Sequence, residues 1–276
     1  MSTHGERERQ PRVTTEQWLR GYFFKQPDDV LGRGEAVAGV WKNIDFLRLR
    51  DSALHLLDPR PGRTILDIGS AEGATMVYCG LQGATVYGQD LDPEAVAEAN
   101  RALAQYGIAG EARVGNATDL RSFADGSMDG VIASDFFEHI TDDDKIACLR
   151  ECARVLKPGG VVVLKTPNLT YLKLALAFKR ATALLRGRNP LRIVIPHTHP
   201  SGDMEHIGLT TRFRLARCLQ AANLFNYEFR YVPLRRFGRS ALVEILSTEI
   251  PVLRDWFSED LLVRAYKPIA LSHFPD

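Results

Sequence analysis

The stretch Ile65-Leu66-Asp67-Ile68-Gly69-Ser70-Ala71-Glu72-Gly73, taken with Asp90 further on, constrains this chain more than any other. An apolar run meets an acid and then a glycine-punctuated turn. A second run, Thr85 to Gln89, ends in another acid, Asp90. Strand, turn and helix in that order put a ligand crevice at the carboxyl edge of an open parallel sheet. Gly69 and Gly73 allow the backbone to approach a ligand with no Cβ in the way. Asp90 at the second strand end is placed to accept from both hydroxyls of a ribose. The glycines are too few for a dinucleotide fingerprint, and Asp67 sits where a pyrophosphate would be repelled. The pattern predicts a nucleoside that carries positive charge.

Strand candidates are 64–68, 84–89, 111–115, 128–134 and 160–166, each short and apolar or β-branched. Helical patterns at 73–81, 93–106 and 142–156 separate them. Pro93 suits a first helical position, where its missing N–H would have no partner in any case. Lys157-Pro158-Gly159-Gly160 predicts a helix stop and a turn into a buried strand. Alternation of this kind means right-handed crossovers and a parallel sheet. A long segment, 167–210, then precedes a helix at 211–222 and two late strands at 227–232 and 261–267. We expect residues 1–60 to be a tail and capping helices, and 61–276 the main domain with a lid insertion at about 167–210.

Composition, 45% hydrophobic and 25% charged, supplies a full-sized core. No apolar run approaches the roughly 18 residues of a membrane span. The charged start, MSTHGERERQPR, predicts no secretory signal. Cys79, Cys148, Cys152 and Cys218 have no CxxC spacing, so reduced thiols packed as small hydrophobes and a cytoplasmic location are expected. A net charge of +1 disfavours nucleic acid as a partner, and the basic stretch has few aromatics for base stacking. That charge is uneven. No Asp or Glu falls between Asn168 and Gly202, where Lys173, Lys179, Arg180, Arg186, Arg188 and Arg192 cluster.

Five motifs in order resemble those of the class I S-adenosylmethionine-dependent methyltransferases: Asp67 to Gly73, Asp90, Gly115-Asn116-Ala117-Thr118-Asp119-Leu120, Phe136-Phe137-Glu138-His139, and Arg154 to Gly160. The resemblance covers about residues 45 to 270. It implies an α/β fold: a Rossmann-like, seven-stranded, mostly parallel sheet with helices on both faces and the last strand antiparallel. It also implies S-adenosylmethionine as cofactor, with Asp67, Gly69, Ser70, Gly73, Asp90, Leu91, Asn116, Ala117 and Ser134 in the pocket. Two positions depart from the pattern. Ala71 stands where glycine is common, and Asn116 replaces an acid that holds the adenine amino group. An amide oxygen accepts that hydrogen bond without charge assistance.

The chemistry should sit after the fourth strand, at Asp135, Glu138 and His139, because residues at i, i+3 and i+4 share a face. The string is similar to the ExxEH metal site of the small-RNA 2′-O-methyltransferases and to a string of the ubiquinone-pathway O-methyltransferases. That similarity implies a divalent metal at Asp135, Glu138, His139 and His206, with His197 and His199 as substitutes for the last. Such ligands suit Mg, Mn, Fe or Zn without selecting one. Alternatively Glu138 is structural and His139, with Asp135, acts as a metal-free general base. The expected reaction is O-methylation of a small-molecule hydroxyl. The alternatives are metal-independent N- or C-methylation, or an inactive partner protein with this fold. Tyr171 to Arg186 predicts an amphipathic helix over the acceptor pocket. Its basic face is either solvated or in contact, through 171–192, with anionic lipid at a membrane surface or a phosphorylated acceptor. Tyr22, Phe23, Phe24, Trp41, Phe136 and Phe137 are expected in the core rather than around a ligand.

Overall fold

In the computed structural model, residues 52–196, 198, 205–231, 242, 245 and 249–269 are described. The expected helices of the first 51 residues, with Tyr22, Phe23, Phe24 and Trp41, and also His197 and His199, lie outside them. Residues 52–57 are helical and bury Ala53, Leu54 and Leu57.

Seven strands form one sheet: β1 (Thr64–Ile68), β2 (Thr85–Asp90), β3 (Gly110–Val114), β4 (Met128–Ser134), β5 (Leu156–Pro167), β6 (Asn226–Arg230) and β7 (Asp260–Tyr266). Their order is β3-β2-β1-β4-β5-β7-β6. β1 pairs in parallel with both β2 and β4, so the strand order reverses at β1, where open sheets of this kind take ligands. β7 runs antiparallel to β5 and to β6, as the resemblance implied of the last strand.

Alternation along the strands divides the core in two. Leu66, Ile68, Val131, Ala133, Val162 and Leu164 face one side, with α3 (Asp142–Val155) and α5 (Arg212–Ala221). Ile65, Ile132, Val161 and Val163 face the other, with residues 52–57, α1 (Ala74–Leu81) and α2 (Pro93–Gln105). All of the thiols are buried in these layers. Side chains set the helix starts: Asp92 accepts from Glu94 N at 2.9 Å ahead of Pro93, and Thr141 accepts from Asp144 N at 3.2 Å. Asp142, Asp143 and Asp144 then lie in the first turn of α3, where the helix dipole favours negative charge.

Two elements differ from the sequence expectation. β5 begins directly at Leu156, but its pairing with β4 skips from Leu156 to Val161. Residues 157–160 bulge out of the ladder there because Gly159 adopts a φ of 77° and its N–H turns to Lys267 O at 3.0 Å. The sequence pattern also gave no sign of the short helix α6 (Pro251–Phe257), although Pro251 stands in its first turn. The 167–210 segment opens with α4 (Leu169–Leu185), capped by Asn168, which accepts from Thr170 N at 3.0 Å.

Candidate active site

At the carboxyl ends of β1 and β2 the charges are held by backbone. Asp90 Oδ2 accepts from Ala71 N and Oδ1 from Asp92 N, both at 2.9 Å. A carboxylate has about four lone-pair sites, so capacity for a diol remains. Leu91 is 67% exposed and Val114 57%, leaving apolar surface on either side of Asp90, which pairs with Val114. Ala117 is buried below them. Gln89 Nε2 donates to Asn116 O at 2.6 Å and to Asp119 O at 3.1 Å, fixing the loop after β3. Asp67 is buried at the end of β1, and its charge adds to burial in pushing the Cys79 thiol up.

Three local details refine the expectations. A Cβ on Gly69 would lie 2.7 Å from the Phe136 ring, and one on Gly73 2.7 Å from Ala99 Cβ. With φ of 69° and 82°, glycine is required there by left-handed backbone and by packing against the chain's own side chains. Ser70 turns its hydroxyl inward, toward Gly88 and Met76, where it has no hydrogen-bond partner among the described residues. Asn116 Oδ1 accepts from Thr118 N and Oγ1, both at 3.0 Å, so the oxygen expected to meet an adenine amine is occupied by its own turn.

At the end of β4 the contacts are long-range. Glu138, His139 and His206 each offer a ligand atom, and these atoms lie within 4.8 Å of one another. The imidazoles of His139 and His206 meet edge to face, with ring centroids 5.0 Å apart. His139 Nδ1 lies 3.0 Å from Glu205 O. A carbonyl only accepts, so Nδ1 carries the proton in this contact. Glu138 is buried and accepts from Thr166 Oγ1 at 2.8 Å. Burial, with a smaller contribution from the Asp135 charge, holds its carboxyl above the usual range.

Asp135 stands apart from this cluster. Its carboxylate accepts from Lys165 Nζ at 2.5 Å, and its backbone takes a left-handed φ of 54°. Lys165 lies beside Ser134 in the β4–β5 register and is 2% exposed. Ser134, half-buried, closes β4 next to this pair.

His206 reaches the cluster through residues that carry no motif. Gly208 N donates to Glu138 O at 2.8 Å, and a Cβ on Gly208 would lie 1.9 Å from Ile140 O. Lys145, fully buried, donates to Gly208 O at 2.6 Å and to Asp142 Oδ1 at 2.9 Å. Arg214 holds the other oxygen of Asp142 at 2.6 Å. Sequence reasoning missed Lys145, Lys165, Thr166 and Gly208. Only Gly208, two residues after a candidate ligand, left a visible sign.

A family model described as a methyltransferase domain matches residues 66–164. The ubiquinone biosynthesis O-methyltransferase of Xanthomonas campestris pv. campestris (strain B100) is 35% identical over 167 residues, covering 56% of this chain and 68% of that relative. The enzyme of the same name from Xanthomonas axonopodis pv. citri (strain 306) gives the same figures. The chain belongs to the class I S-adenosylmethionine-dependent methyltransferases. A SAM-dependent methyltransferase from Archaeoglobus fulgidus shares the fold at a TM-score of 0.55 and 18% identity, over 82% of this methyltransferase and 94% of that one. Among the described residues, no helix of the methyltransferase is long and apolar enough to cross a membrane.

Proposed function

We propose that this methyltransferase transfers the methyl group of S-adenosylmethionine to a hydroxyl of a small molecule, with a divalent metal ion at Glu138, His139 and His206. The observation that carries it is the convergence of ligand atoms from Glu138, His139 and His206 within 4.8 Å of one another. His139 Nδ1 donating to the Glu205 carbonyl would leave Nε2 as the ligand atom, and a backbone carbonyl on the other ring nitrogen is what metal-binding histidines use. A carboxylate and two imidazoles suit Mn, Fe or Zn, and Mg less well. Bound there, such an ion supplies Lewis acidity toward an acceptor hydroxyl.

The chain's own residues supply alignment. Asp90, with Leu91 and Ala117 beside it, is assigned to hold the ribose and adenine, and Asp67 to face the positively charged end of the cofactor. Ser134 and Asp135 then lie between cofactor and acceptor. Holding donor and acceptor in line removes several kcal/mol of barrier by itself. The names of the Xanthomonas relatives support a hydroxyl acceptor.

One observation favours a second reading, metal-free with His139 as general base: Asp135 is engaged by Lys165. The two readings part in one experiment. Protein stripped with chelator is titrated with S-adenosylmethionine and assayed on catechol, before and after Mg, Mn, Fe or Zn is restored. The metal reading expects cofactor binding throughout and methyl transfer only with metal. Full transfer after stripping would leave the base reading. His139→Ala should lower turnover by about 10²-fold or more with cofactor affinity intact. Loss of both together would make the histidine structural and overturn either role.

A further inference from the structure

After α4 the chain turns back and builds a groove. Gly187 takes a left-handed φ of 67°, with open space where a Cβ would stand. Arg188 N donates to Ala183 O at 2.8 Å, and Asn189 Oδ1 caps the short turn Pro190–Arg192 by accepting from Leu191 N at 2.9 Å. Arg180 Nε donates to Ile193 O at 3.0 Å, which ties the returning strand of chain beside the helix. Phe257 of α6 also lines the groove, as does Tyr171 in the first turn of α4, whose hydroxyl donates to Glu259 Oε1 at 3.1 Å. The cavity between these walls is about 1230 Å³.

Its two ends differ in chemistry. Tyr171, Leu174 and Phe178 of the first part of α4, with Phe257, give it an apolar floor, and Lys179, Arg186, Arg188 and Arg192 line it along the last part of α4 and the turn that follows. At 1.5 Å per residue, Tyr171 and Arg186 are about 22 Å apart along the helix. No carboxylate falls between residues 169 and 193. Among the described residues, none of those four cations is in an ion pair. A bare inorganic anion would leave the floor in water, and a neutral lipid would make no use of the guanidinium groups, which favour phosphate oxygens. The complementary ligand is long, apolar along its body and anionic at one end.

We propose that this groove binds an anionic single-chain amphiphile, an alkyl or acyl chain ending in a phosphate, one molecule per protein. The proposal stands on the groove alone and is independent of the metal and acceptor assignments above. The test is calorimetric titration of the full chain with octyl and decyl phosphate, each below its aggregation concentration, beside inorganic phosphate and octanol. Octyl phosphate should bind one to one. Two further methylenes should tighten binding by about tenfold, because each buried CH₂ is worth about 0.8 kcal/mol. Higher salt should weaken it, since the cations are exposed. Thr182→Trp, which fills the groove, should abolish binding, and the pair Arg186→Glu and Arg192→Glu should lower it by at least tenfold. Cofactor binding, unchanged in these variants, reports that they fold.

Three outcomes would overturn the proposal. Inorganic phosphate binding as tightly as octyl phosphate would leave a plain anion patch. Binding to phosphatidylglycerol vesicles but not to monomeric alkyl phosphate would make the groove part of a membrane surface. A concentration-dependent dimer that loosens in Thr182→Trp, with no alkyl phosphate bound by either protein, would make it an interface between copies.

Discussion

The two halves of the candidate active site are held together in different ways. Around Asp90, the restraints are mostly backbone groups at shorter separations: Asp92 N two positions on, Ala71 N 19 positions back, and the Asn116 turn closed by Thr118, with Gln89 bracing that loop. Around Glu138, they come from side chains and segments far apart, with His139 meeting Glu205 O across 66 positions and Lys145 meeting Gly208 O across 63. A local restraint forms with its loop. A distant one forms only when the fold does. The first half should therefore yield to change piece by piece, and the second as a unit.

The largest effect expected follows from breaking the distant lock. Gly208→Ala places a methyl 1.9 Å from the Ile140 carbonyl, which must move and carry His206 with it. Overpacking against backbone costs about 1–3 kcal/mol or more. Lys145→Met should do comparable damage, leaving Gly208 O and Asp142 short of a buried partner. Denaturant midpoints should fall in both variants, and manganese affinity should fall with them, while S-adenosylmethionine affinity at the distant loop is retained. Loss of cofactor binding in parallel would mean that the halves are not separable.

Asp90→Ala breaks the local half. One carboxylate gives up two backbone donors and its assigned ribose contacts, a loss of about 2–3 kcal/mol in cofactor binding for charge-assisted bonds. Calorimetry with S-adenosylmethionine measures it, and metal affinity should not change. Unchanged cofactor affinity would refute the assignment of Asp90.

A smaller effect appears as a slope in pH. The folded carboxyl of Glu138 titrates above its ordinary value because burial disfavours its charge, with Asp135 adding to the shift. The neutral group's contribution is therefore complete below the ordinary carboxylate range. It is lost as pH rises through the raised folded value. In metal-free protein, Glu138→Gln should remove that decline, so the variant gains on the parent as pH increases. Urea midpoints measured across the acid range test it. A parent and variant that stay parallel at every pH would mean that Glu138 carries no such shift.

This contrast also explains what the sequence made legible. The strands, their parallel order and the acids at the ends of β1 and β2 follow from local patterns: an apolar run, a turn, a cap. Glu138 and His139 were visible because one short helical turn brings them together, and His206 because a similar string elsewhere has a later histidine. The pairing of Asp135 with Lys165 was not visible. It depends on β4 and β5 lying side by side with Ser134 opposite Lys165, and nothing in either segment alone states that register. Asn116 Oδ1 was not legible for the opposite reason. Its side chain was read toward a ligand, and the nearer claim of its own turn took the oxygen.

The smallest effect expected carries the opposite sign and belongs to the local half. Ala71 holds a left-handed φ of 44°, so that its N–H can reach Asp90, and its methyl group is exposed. An L-residue in that conformation costs roughly 1–2 kcal/mol. Glycine relieves this and gives back part of it through the greater freedom of the unfolded chain, about 0.5–1 kcal/mol. Ala71→Gly should therefore stabilise the protein by up to about 1 kcal/mol and leave the Asp90 contact in place, so cofactor affinity holds or improves slightly. Thermal melts with and without S-adenosylmethionine separate the two terms. If the variant is less stable, Ala71 is not strained by its backbone. If it is more stable but binds cofactor more weakly, the stiffness of this turn is part of the binding site, and the local half is less divisible than its hydrogen bonds suggest.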